Sequence, residues 1–113
     1  MLAPYTQREN RRHYRLRYPL RLRPWLELAG VRAAVIDISE GGVRILCESG
    51  LAVELGETLS AALKLHSGES ARLSGCVVRI SRNEVALSFG RGLSFASILR
   101  EQRAIRARHR YWA

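Results

Sequence analysis

Two short clusters hold the residue types best able to bind or react. Arg11-Arg12-His13-Tyr14-Arg15 sets two arginines four positions apart, an RxxxR arrangement, and Asp37-Ile38-Ser39-Glu40-Gly41-Gly42 forms a DxSxxG arrangement. Asp37 is the only aspartate in the chain. Two guanidinium forks neutralise phosphate and pair bidentately with the O6/N7 edge of guanine. A carboxylate only accepts hydrogen bonds, so Asp37 suits the N1–H and N2–H₂ edge of the same base. Ser39 and the glycine pair offer a hydroxyl and unshielded backbone N–H groups, a concavity suited to anions. Gly42 can take φ > 0 without steric cost, which would let the chain approach a ligand closely. Together the clusters are complementary to a phosphorylated guanine ligand.

Each cluster alone has a plainer explanation. An RxxxR arises by chance in a chain with eighteen arginines, and Asp-x-Ser at a strand end is commonly a hydrogen-bonded turn. Catalysis finds little to use. His13, His66 and His109 lie in separate segments and read as surface or helix-face residues, and one Asp with scattered Glu makes no paired-carboxylate site. Cys47 and Cys76 read as free buried thiols rather than metal or redox groups. No catalytic residue, metal site or cofactor is therefore expected. Trp25 and Trp112 suit a core or an interface better than a stacking platform.

The positioning elements follow from hydrophobic period and turn signals. Residues 18–28 alternate on either side of Pro24, as one strand interrupted by a bulge, and Ala29-Gly30 turns it back into a strand over 31–38. Further strands are expected over 43–47, 59–65, 71–80 and 84–89, separated by Ser39–Gly42, a loop over 48–57, His66-Ser67-Gly68 and Ser81-Arg82-Asn83. After Gly92 the period becomes helical: Phe95, Ile98, Leu99, Gln102, Ile105, His109 and Trp112 share one stripe, with Ser94 as N-cap. Short strands at such spacing predict a mainly β fold, a small antiparallel barrel or sandwich followed by a C-terminal helix. The expected organisation is a flexible Arg-rich segment over 1–17, the barrel over 18–92 and the helix over 93–113, its stripe packed on the barrel or against a second copy as a homodimer.

The charge supports binding to a polyanion. The chain of 113 residues carries a formal +9, concentrated at its ends: residues 1–24 hold net +6, residues 91–113 net +5, and the stretch between them net −2. Lys64 is the only lysine, a ratio that GC-rich coding also produces. No apolar run is long enough for a membrane span and residues 1–8 lack the apolar core of a secretory signal, so a cytoplasmic location is expected. A small nucleic-acid-binding barrel fits the charge, but aromatics make up only 7% and no single strand interleaves them with cations.

In its motifs and their order the chain resembles the PilZ domain, a bacterial receptor module for the second messenger cyclic diguanylate (cyclic di-GMP). The resemblance rests on Arg11-x-x-x-Arg15 followed by Leu16-Arg17-Tyr18-Pro19, then Asp37-x-Ser39-x-x-Gly42, with the 85–89 strand leading to the helix. It implies a six-stranded barrel plus helix, with Arg11 and Arg15 on phosphate and guanine, Asp37 and Ser39 on a guanine edge, and Gly42 shaping the turn below. Arg12, Gly41 and Arg44 are secondary candidates. It also implies a receptor or adaptor that relays its signal to a downstream protein; like charges in this chain's own Arg-rich segment before Leu16 suggest that the segment orders when a ligand's phosphates neutralise it. The remaining alternatives are nucleic-acid binding and an adaptor that has lost the nucleotide.

Overall fold

Ala29 and Gly30 both take positive φ, 51° and 77°, the geometry of a two-residue hairpin turn. They join β2 (Trp25–Leu28) to β3 (Val31–Ile38) in the register Leu28↔Val31. The computed structural model describes residues 14–47 and 52–112, with side chains as far as Arg108. After β3 come β4 (Gly42–Leu46), β5 (Thr58–Lys64), β6 (Ser70–Ser81) and β7 (Glu84–Phe89), the last two joined across Arg82-Asn83. All pairings are antiparallel, and the order β3–β2–β5–β6–β7–β4 closes through β4–β3 into a six-strand barrel. Closure leaves the barrel staves without an unpaired edge.

Alternation places Leu26, Leu28, Val35, Ile45, Val77, Val85 and Leu87 inside. The barrel packs against α1 (Phe95–Trp112), which contributes Ile98 and Ile105 to the same core. The expected cap is present: Ser94 Oγ accepts the Ser97 backbone N–H at 3.1 Å.

The structure departs from the sequence expectation at four places. Residues 18–28 are not one bulged strand. A two-residue strand, β1 (Leu16–Arg17), a 3-10 turn (Leu20–Leu22) and β2 follow in succession. Both β1 and β2 pair with β3, at its two ends, so Leu16-Arg17 joins the sheet rather than the N-terminal segment; residues 1–13 lie outside the described residues. Pro24, without an N–H, cannot continue a ladder on that side, and its carbonyl accepts the Val35 N–H instead. Trp25 is not in the core. It is 52% exposed, with the Arg32 guanidinium 4.7 Å from its ring centroid.

His66, which reads as a surface or helix-face residue, joins Glu101 in a polar node between the helix and the barrel. Glu101 is fully buried; its Oε2 accepts the Tyr18 hydroxyl (2.7 Å) and the His66 N–H (3.0 Å), and its Oε1 the Ser67 N–H (2.9 Å). His66 Nε2 donates to the Leu22 carbonyl at 2.6 Å, so Nδ1 is the acceptor for Arg108 Nη1 at 2.8 Å. Burial, and then the adjoining carboxylate, push the Tyr18 phenol far above its ordinary pKa, so it remains a donor. The node ties α1 to the segment leading out of β1.

Candidate functional site

Arg15 of the first cluster and the Asp37–Gly42 cluster meet on the outer face of the barrel where β3, β4, β7 and β6 run side by side. The register sets Arg17, Asp37, Arg44, Ala86 and Arg79 as successive cross-strand neighbours on β1, β3, β4, β7 and β6. Arg15, Asp37, Ser39, Gly41, Gly42 and Arg44 line one cleft there, of about 210 Å³, together with Val78, Arg79, Ala86 and Ser88. Small residues form its floor, since Ala86 stands between Arg44 and Arg79 and Gly42 lies opposite Ser88. Arg11 and Arg12 lie outside the described residues.

Two register shifts build this wall. Between Val35 and Asp37 the β3–β4 pairing slips by one residue. Val35 and Ile38 both belong to the core, so an unbroken alternation from Val35 would have turned Asp37 inward; the extra residue, Ile36, re-aims it into the cleft. A second shift, between Val77 and Arg79 on β6, leaves Val78 exposed beside the cleft and brings Arg79 opposite Ala86. Among the lining residues that motif reasoning misses are Arg79 and Val78. Only a slipped register puts them there, and no local signal announces a slip.

The Ser39–Gly42 bend closes on itself. The Ser39 N–H donates to the Gly42 carbonyl (2.9 Å), and Ser39 Oγ accepts the Gly41 N–H (3.2 Å). Gly42 is needed for a reason other than positive φ, which it does not adopt. A Cβ there would lie 2.4 Å from the Leu87 carbonyl oxygen, so β4 and β7 approach closely only because the side chain is absent.

Asp37 is 7% exposed and already has a partner. Arg44 Nη2 and Nε both donate to its Oδ2, at 2.7 and 3.1 Å, while Nη1 reaches Glu84 Oε1 at 3.2 Å. Among the described residues no group of His, Cys, Asp and Glu is arranged to hold a metal ion, and no helix is long and apolar enough to cross a membrane. Cys47 and Cys76 are free and half-buried, and burial raises the Cys47 thiol pKa.

A second, shallower cleft of about 480 Å³ lies on the β2–β3–β5–β6 face and shares no lining residue with the first. Trp25, Glu27, Arg32, Lys64 and Arg72 surround Ala62 there. Its aromatic and basic residues come from different strands, which explains why no single strand displays the mixture.

Comparison with known proteins agrees with the fold. No curated protein matches the sequence. The Bacillus subtilis inhibitor of motility MotI/DgrA superposes with a TM-score of 0.65 at 17% identity, over 87% of this chain and 51% of that one, so this chain spans about half of its length. The PilZ domain of Escherichia coli YcgR, solved with c-di-GMP, superposes with a TM-score of 0.61 at 20% identity, over 88% and 92% of the two chains. An uncharacterised Legionella protein gives 0.51 at 14% identity over 87% and 92%. The sequence model of the PilZ domain matches residues 9–108, and the chain therefore belongs to the PilZ domain family.

Proposed function

We propose that this chain is a receptor for cyclic di-GMP that relays occupancy of the cleft to a partner protein and performs no catalysis itself. The observation carrying the proposal is the convergence of Arg15 with Asp37 and the Ser39–Gly42 bend in one cleft, although more than twenty residues separate them in sequence. Family membership and the c-di-GMP held by the YcgR domain support the ligand. Arg15 and Arg79 supply cations for phosphate or the guanine O6/N7 edge, and Asp37 supplies the acceptor for N1–H and N2–H₂. Ala86 and Gly42 leave room for a planar base, and the RxxxR motif adds Arg11 as a second arginine for phosphate or guanine. A micromolar affinity requires about −8 kcal/mol, within reach of several charge-assisted hydrogen bonds after the ordering cost.

Nucleic-acid binding is the second reading, and the exposed Trp25 with Arg32, Lys64 and Arg72 favours it. Glu27, inside the same patch, opposes a phosphate backbone. Titration calorimetry with cyclic di-GMP, GMP and single-stranded DNA separates the two. Binding of the dinucleotide, with neither control competing, is the expected result; binding of DNA alone would replace the proposal with the second reading.

A further inference from the structure

We infer that Arg44 is a competing occupant that fills the guanine position of the cleft when no ligand is there; this rests on the receptor reading above. Its guanidinium presents two N–H donors converging on Asp37 Oδ2, at 2.7 and 3.1 Å. The N1–C2–N2 edge of guanine presents the same pattern, two N–H groups diverging from one carbon, because that edge is itself a guanidine unit. Arg44 and the base are thus chemical equivalents from the standpoint of Asp37, and they compete for one nearly buried carboxylate.

The register makes the competition local. Asp37 and Arg44 are direct cross-strand neighbours, and Ala86, the next residue in the row, is too small to hold Arg44 back. Glu84, on β7, already accepts Arg44 Nη1 at 3.2 Å, so a displaced guanidinium keeps an anionic partner without leaving the site. Guanine restores both hydrogen bonds that Asp37 loses when Arg44 moves. Adenine, whose corresponding edge carries an acceptor at N1 and no N2 amine, does not restore them. The exchange therefore lowers apparent affinity by the same factor for every ligand that must displace Arg44, and discrimination against adenine stays with Asp37.

Calorimetry on the full chain with cyclic di-GMP and cyclic di-AMP tests this. Arg44→Met keeps the length of the side chain and removes the fork; it should tighten cyclic di-GMP binding by about fivefold or more and leave the preference over cyclic di-AMP unchanged. Glu84→Gln, which leaves Asp37 and Arg44 in place, should weaken cyclic di-GMP binding, and should lose that effect when combined with Arg44→Met. The Glu84 pair keeps the question answerable if Arg44→Met destabilises the fold. Weaker or unchanged binding by a folded Arg44→Met chain, or an equal Glu84→Gln effect in both backgrounds, would overturn the inference while leaving the receptor reading intact. Absence of binding by wild type and by every variant would instead remove the receptor reading and this inference with it.

Discussion

Replacing Glu101 by Gln exchanges one buried oxygen for an amide nitrogen and alters nothing else in shape. Three donors converge on this carboxylate: the Tyr18 hydroxyl and His66 N–H on Oε2, and the Ser67 N–H on Oε1. The single oxygen of Gln serves the first two, which leaves its NH₂ group facing the Ser67 N–H, donor against donor. An orphaned donor costs about 1–3 kcal/mol, and the two retained bonds weaken because their acceptor is no longer charged. Relief of the buried charge offsets part of this, so a net loss of about 2 kcal/mol is expected. In urea, with a slope of about 2 kcal/mol/M, the unfolding midpoint should fall by about 1 M at unchanged slope. Glu101→Leu orphans all three donors and should cost about 3–5 kcal/mol. Because the node fixes Tyr18, whose N–H is bonded to the Ile36 carbonyl beside Asp37, Glu101→Gln should also weaken cyclic di-GMP binding without touching the cleft. A Gln variant within about 0.5 kcal/mol of wild type, well inside the single-orphan cost, would refute the view that this carboxylate holds the helix to the barrel.

Four other outcomes follow from the same geometry. Arg15→Ala should reduce cyclic di-GMP affinity about tenfold or more by calorimetry, whereas Arg103→Ala, on an exposed position of α1, should change it less than about twofold; equal losses would mean that only bulk charge matters. Gly42→Ala should cost about 1–3 kcal/mol in urea unfolding, because a backbone oxygen stands where the methyl must go; wild-type stability would show that β4 and β7 can separate freely. Above about pH 10 the unfolded chain loses the Tyr18 proton while the folded chain keeps it, so this residue makes stability fall by about 1.4 kcal/mol per pH unit as pH rises. Tyr18→Phe should remove that slope. The Ser97 hydroxyl, donating to Glu69 at 2.7 Å, holds that carboxyl below its ordinary pKa, with Arg100 assisting; Ser97→Ala should raise the Glu69 titration seen by NMR, and an unmoved midpoint would exclude this cause.

What the sequence discloses and what it withholds divide along a physical line. Turn chemistry and hydrophobic period are local, so the Ala29-Gly30 hairpin, the 84–89 strand and the Ser94 cap are all legible before any coordinates. The approach of Asp37 to Arg15 is legible only through the motif pattern, not through any property of either segment. The slips at Ile36 and Val78 depend on which residue of a distant strand sits opposite, and that is decided by the whole barrel. Arg79 escapes for this reason. Glu101 escapes for another: a charged residue on a helix usually faces water, and its burial follows from donors supplied by residues 18, 66 and 67. Gly42 is singled out in the sequence for backbone freedom, whereas proximity of β7 rather than handedness demands a glycine there.

The division of one barrel stave into β1 and β2 has a mechanical consequence. β2 holds the first half of β3 through four residue pairs, from Trp25↔Ala34 to Leu28↔Val31, and also carries β5. β1 holds the second half through two pairs, Leu16↔Ile38 and Arg17↔Asp37. Peeling β1 away would therefore sacrifice two rungs and leave the closed ring of six staves untouched. Rearrangement at β1 can proceed like a latch lifted from a cask whose hoops stay tight, with its cost separated from that of unfolding.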